Sequence, residues 1–119
     1  MKTHPSELYY YHNSAQPINK QTKAYAHSVA KFIHEIDVVS QKMTPTQWNQ
    51  ILLLLNLRPK DLLNRAHPDY QRLIAGKNWD HESWLNILIN YPYLIKAPIV
   101  LFRKKAILCR TPSDILKLN

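Results

Sequence analysis

The sequence predicts an α/β fold built on a mixed sheet of about four strands. Three observations carry that prediction. A tyrosine-rich run of strand type at residues 7–12 is separated by a helical stretch from a second strand-like run. The middle of the chain, about residues 44–91, repeats helix start and stop signals. Two further strand-like runs, joined by a very tight turn, precede a last helical segment. The order is βαβ, then helices, then ββα. A βαβ crossover makes its strands parallel and is right-handed, whereas a tight turn forces the late pair to be antiparallel.

Each element has its own signals. Pro5 leads into the first strand, and Asn13, Ser14 and Pro17 are loop chemistry. From Asn19 the pattern turns helical, with Ile18, Tyr25 and Val29 near helical spacing and Lys20 and Lys23 among them. Residues 31–39 read as a strand. Phe32, His34, Ile36 and Val38 share one face, and Ile33, Glu35, Asp37 and Val39 the other, which suits an edge or half-covered strand. His34 has no partner at ligand spacing and reads as a surface residue, not a metal ligand. Thr44, Pro45 and Gln47 form a capping-box start. Trp48, Ile51, Leu52 and Leu55 make the apolar face of that helix, and Leu53 and Leu54 widen it toward full burial. Arg58 and Pro59 break the helix. Short helical turns follow at 60–64 and 68–73, and Gly76 ends the region. Asp80 caps the next helix, whose stripe is Trp84, Leu85, Leu88 and Ile89, until Pro92 stops it. Trp48 and Trp84 read as core. Residues 99–103 and 105–109 are the late strands. Pro112 and Ser113 open the last helix, with Ile115, Leu116 and Leu118 facing in.

Composition narrows the function classes. A chain of 119 residues favours one domain, spanning 1–119. Hydrophobic residues make up 45%, enough for a real core. The single glycine argues against a Gly-rich phosphate loop. Cys109 is the lone cysteine, so an intrachain disulfide is ruled out and a cysteine metal cluster would need other ligands. The N-terminus has no apolar signal-peptide core, and the 51–55 run is far too short to span a bilayer. The expectation is a cytoplasmic protein with no membrane association. The net charge of +8 favours acidic partners. No Asp or Glu lies between Glu82 and Asp114, a stretch that holds Lys96, Arg103, Lys104, Lys105 and Arg110. Phe102 is the only aromatic inside the hairpin, too thin an interleaving for a nucleic-acid surface.

A βαβ unit followed by a ββα unit is the arrangement of a thioredoxin-like domain, here with a helical insertion at about 44–91. Four motifs then carry a family resemblance. Tyr91-Pro92-Tyr93-Leu94-Ile95-Lys96-Ala97-Pro98-Ile99-Val100 resembles the N-P-x-L-I-x-R-P-I-V signature of the arsenate reductase (ArsC) and Spx family. Leu108-Cys109-Arg110-Thr111-Pro112 is similar to that family's G/C-R-P stretch. Asp61-Leu62-Leu63-Asn64 with Tyr70 resembles its LLR…Y region. Tyr11-His12-Asn13 resembles the Y-H-N-P-x-C that opens its active-site loop.

The resemblance implies a site and also a loss. Family chemistry needs a thiolate at the N-terminus of the first helix, where the dipole and free N–H groups lower its pKa. Counting on from Asn13, the family's proline falls on Ser14 and its nucleophilic cysteine on Gln16, which can neither attack arsenate nor form a mixed disulfide. The oxyanion arginine before the family proline is Ala97, and the LLR arginine falls on Asn64, with Arg65 adjacent. Arg110 alone matches in place. The resemblance also implies a cis peptide at Pro98. No catalytic residue is assigned. A vestigial anion or ligand site would comprise His12, Asn13, Gln16, Lys20, Asn64, Ala97, Pro98 and Arg110. Cys109, in an apolar strand beside Arg110, reads as inert core.

Two functions follow. One is a non-catalytic protein-interaction or regulatory module without a cofactor, with an acidic protein surface or, as the Spx resemblance implies, the transcription machinery as partner. The other is a glutathione- or glutaredoxin-linked reductase that acts without the usual cysteine. Direct nucleic-acid binding rests on charge alone and is not expected.

Overall fold

The computed structural model describes residues 6–16 and 20–118, together with the backbone but not the side chain of Lys20. Strand β1 (Glu7–His12) lies inside a four-stranded sheet of order β2-β1-β3-β4. It pairs parallel with β2 (Phe32–Asp37) and antiparallel with β3 (Ile99–Phe102), which pairs antiparallel with β4 (Lys105–Leu108). The expected mixed sheet is therefore present. Its two faces follow the two-residue period of β1. Tyr11 joins the larger cluster, which holds Trp48, Ile51, Leu52, Leu62, Leu88 and Leu94. Leu8 and Tyr10 join a smaller cluster with Ala26, Val100, Phe102, Ile115 and Leu118.

Helix α1 (Lys20–Val29) packs on the smaller cluster; of the expected stripe Val29 reaches that cluster, and Ile18 lies outside the described residues. Tyr25 is exposed, and the buried positions are Thr22, Ala26 and Ala30. Small side chains let α1 approach the C-terminal 3-10 helix (Pro112–Leu118), which docks by Ile115 and Leu118 while Leu116 faces outward. Strand β2 is an edge strand, as its mixed pattern indicated. Phe32 nevertheless stands 54% exposed at its start, with the Lys31 ammonium 5.7 Å from its ring centre. His34 stacks on Tyr9 at 4.9 Å and meets Glu7 Oε2 at 3.1 Å, a surface arrangement.

Between β2 and β3 lie α2 (Pro45–Leu55), a 3-10 turn (Pro59–Leu62), α3 (Pro68–Leu73), α4 (His81–Asn90) and a 3-10 turn (Pro92–Leu94). The capping box is formed: the Gln47 N–H donates to Thr44 Oγ1 at 3.1 Å, and the Thr44 N–H donates to Gln47 Oε1 at 2.9 Å. Asp80 caps α4 by accepting the Ser83 N–H at 2.8 Å. Trp48, Ile51 and Leu52 are buried, but Leu53 is 73% and Leu54 44% exposed. At 100° per residue, consecutive leucines cannot all face one neighbour. On α4 the buried positions are Leu85, Ile87 and Leu88, while Trp84 and Ile89 are half-buried.

The hairpin turn is Arg103-Lys104, both left-handed, at φ 53° and 62°. That pair of positive φ angles matches the right-handed twist of the flanking strands, and it is usually supplied by Asn-Gly. Pro98 corrects an expectation. Among the described residues every peptide bond is trans, Pro98 included. Trans leads by about 0.5–1 kcal/mol before proline. Here it still presents the Pro98 carbonyl to the Cys109 N–H at 2.8 Å, so the β3–β4 ladder begins in register.

Candidate functional site

The loop after β1 is tied down by one side chain. Asn13 is 8% exposed and donates both amide hydrogens, to Tyr93 O at 2.7 Å and Ile95 O at 3.0 Å. Its Oδ1 accepts the Ala15 N–H at 2.9 Å, and its carbonyl accepts the Gln16 N–H at 3.1 Å. An amide has two donors, so both are used in holding the loop against the segment before β3. From the other side, Asn64 N–H donates to Leu94 O at 2.7 Å and Lys96 N–H to Leu62 O at 2.9 Å. The backbone of residues 94–96 is thus clamped between the first loop and the helical region. Asp37 finishes the frame. It accepts from the Ser14 and Val39 N–H groups and from Ser40 Oγ. Desolvation raises its pKa, but these hydrogen bonds outweigh it and hold the carboxyl down at about 2.

The clamp shapes a cleft of about 170 Å³ at the C-terminal end of β1. Of the eight residues singled out from sequence, His12, Asn13, Gln16, Ala97, Pro98 and Arg110 line it. Asn64 does not. Its Oδ1 accepts the Ala66 N–H at 3.2 Å, and it acts locally as a turn residue. The Lys20 side chain, like residues 17–19, lies outside the described residues.

Four lining residues were not on the sequence-derived set: Tyr10, Lys23, Lys96 and Cys109. Lys96 had a signal, since it adjoins Ala97 in the signature segment. Burial lowers its pKa, and the nearby Arg110 and Arg65 guanidinium groups lower it further against an opposing pull from Asp61. Lys96 therefore joins Arg110 as a second cation of the cleft, where the resemblance leaves only Arg110. Lys23 is drawn aside by Glu35 at 2.9 Å. Tyr10 carries a phenol pushed up to about 12, first by burial, then by the charges of Cys109 and Glu35. Cys109 is 4% exposed, and burial, followed by the Asp114 charge, pushes its thiol up to about 12. A thiol so placed is protonated at neutral pH and a poor nucleophile.

A mixed sheet with this order and a cleft at the first βα loop define a thioredoxin-like protein. The ArsC family model matches residues 11–118, and the chain belongs to the ArsC family. Solved structures share the fold. An arsenate reductase of Vibrio cholerae superposes with TM-score 0.82 at 18% identity, covering 98% of this chain and 100% of that one. A Yersinia pestis protein described as an arsenate reductase gives TM-score 0.82 at 20% identity over 92% and 98% of the two chains. An ArsC-family-related protein of Bacteroides fragilis gives 0.75 at 16% identity over 95% and 99%. No curated protein matches the sequence. Among the described residues, no helix is long and apolar enough to cross a membrane.

Proposed function

We propose that this chain is a non-catalytic ArsC-family protein, a single cytoplasmic domain that serves as a protein-interaction or regulatory module. One observation carries the reading: the only thiol near the cleft is Cys109, buried and held protonated, while the loop position that the resemblance gives to the nucleophile is Gln16. Arsenate or disulfide reduction begins with thiolate attack. Without a thiolate, His12, Gln16, Lys96 and Arg110 are left to bind a small anion or an anionic side chain, with Asn13, Ala97 and Pro98 framing them; Lys20 joins this set by the resemblance alone. The partner in this reading is a protein with an acidic surface, and transcription machinery is the candidate that the Spx resemblance suggests.

The test is turnover. With glutathione and glutaredoxin supplied, purified protein is expected to reduce neither arsenate nor a model disulfide, and sustained turnover of either would remove the reading. A second reading, a glutathione-linked reductase without a protein nucleophile, is favoured only by the presence of both Lys96 and Arg110 in the cleft, which suits an anionic substrate. The same assay decides between them.

A further inference from the structure

We propose that the helical insertion carries a second binding site, in which a nucleotide sets its base against Trp79 and Trp84 and its phosphate on Lys60 and Lys77. The site shares no lining residue with the cleft and goes beyond the reading of the chain as an interaction module.

The walls follow from local sequence. Asn56 ends α2 in the left-handed conformation, at φ 54°, and Pro59 opens the 3-10 turn that carries Lys60. After α3, Gly76 turns the chain at φ 77°, a left-handed angle that glycine takes without a Cβ penalty. Lys77, Asn78 and Trp79 then lead into Asp80, the cap of α4. Because α4 packs on the 59–62 turn, both basic segments line one cavity. Its volume is about 450 Å³, inside the range of about 300–1,000 Å³ usual for small-ligand sites.

Three properties of the lining select the ligand. The first is aromatic surface. Trp79 and Trp84 are half-buried, so part of each indole is left to the cavity. They meet edge to face at 6.5 Å, and the Trp79 Nε1–H donates to Ile74 O at 3.0 Å. The pair is therefore held in place before a ligand arrives, which lowers the ordering cost of binding. The second is charge. Lys60, Lys77, Arg58 and His81 line the cavity, and no Asp or Glu does. Arg58 is matched by Asp61, 3.8 Å away, and His81 is held by Asn49 Oδ1 at 2.9 Å. Among the described residues, Lys60 and Lys77 have no carboxylate partner. Two free ammonium groups match the charge of a phosphate monoester, about −1.5 to −2 at neutral pH.

The third property is spacing. Lys77 Nζ lies 5.7 Å from the Trp79 ring centre, which sets a cation beside an aromatic surface. A ligand that uses both carries a planar ring and an anion on one short frame, as a nucleotide does. Asn78 adds an amide with no partner among the described residues, and its donors and acceptor complement a base edge. A plain anion or an acidic peptide would leave the indole pair unused.

The experiment titrates the full chain with adenosine monophosphate at about 150 mM salt, which screens non-specific attraction. It is read by calorimetry and by amide and indole NMR shifts. We expect saturable binding with shifts at Lys77, Asn78, Trp79 and Trp84 and none at His12 to Gln16. Adenosine and inorganic phosphate, each lacking half of the ligand, are expected to bind at least about tenfold more weakly. Trp79→Ala can unfold the insertion, so the decisive variant is Lys60→Gln with Lys77→Gln, neither of which belongs to the core. It is expected to weaken the nucleotide at least about tenfold and leave adenosine unchanged. Shifts confined to the cleft, phosphate binding as tight as nucleotide binding, or an unaffected double variant would overturn the proposal. So would an adenine octanucleotide that binds about a hundredfold tighter than the mononucleotide, which would make a single strand the occupant. Arsenate turnover would remove the module reading and leave this site standing, whereas loss of nucleotide binding refutes this site alone.

Discussion

Replacing Asn13 with alanine separates two roles for this residue, ligand to an anion or clamp of the cleft. The structure gives the clamp both donors, to Tyr93 O and Ile95 O, and one acceptor, from Ala15 N–H. Truncation removes all three bonds; water can replace the one to the exposed Ala15, whereas the two to carbonyls are lost at about 0.5–1.5 kcal/mol each and the buried Ile95 carbonyl is stranded, so the expected loss is about 2–4 kcal/mol. For a domain of this size that is a fall in Tm of about 8–16 °C. Asn13→Asp is the sharper variant. It is nearly isosteric but points carboxylate oxygens at two carbonyls, and it should cost at least as much as alanine at neutral pH. The assay is urea and thermal unfolding followed by circular dichroism, with phosphate titration of each folded variant. A loss below about 1 kcal/mol for alanine, with anion affinity abolished, would refute the clamp and make Asn13 a ligand.

Other outcomes are expected of the same protein. Cys109 should resist iodoacetamide at neutral pH in the native state and react freely in urea; rapid native alkylation would mean that the thiol is neither buried nor held protonated. Tyr10, Tyr11 and Cys109 are each pushed up to about 12, chiefly by burial, from ordinary values of 10.0, 10.0 and 9.0. Raised folded values mean that the unfolded chain releases these protons first, so their contribution is full below about pH 9 and disappears as pH rises toward 12. Urea midpoints between pH 8 and 11 should fall accordingly, and a flat profile would contradict it. Lys104→Gly should relieve the left-handed strain and stabilise by about 0.5–1 kcal/mol, measured by chemical unfolding, whereas destabilisation would show that the Lys104 side chain holds the turn.

Much of the fold was legible because local chemistry announces it. Thr44, Pro45 and Gln47 announce the start of α2 and Asp80 that of α4, since caps depend on neighbours in sequence, and the runs 99–103 and 105–109 announce the hairpin, which turns through Arg103-Lys104. Which face of an element is covered was less legible. Leu53, Leu54 and Leu116 look like core by type and are exposed, whereas the polar Thr22 is buried. Burial depends on what arrives opposite, and small residues on α1 matter because another helix comes close. Within the cleft, Gln16, Ala97 and Arg110 could be placed by motif, but Lys96 and Lys23 needed the tertiary structure.

By itself the sequence determined the order of elements, the sheet type and the single cysteine, and the family resemblance implies Gln16 and Ala97 at two motif positions. Those properties are local or compositional, so chain order suffices. Only the tertiary structure decided that Asn13 spends its donors on Tyr93 and Ile95, that the peptide before Pro98 is trans, and that Lys96 lines the cleft with Arg110. It also placed Cys109 beneath the cleft as a buried, protonated thiol. Each of these depends on contacts between residues far apart in the chain, and desolvation and charge act through space.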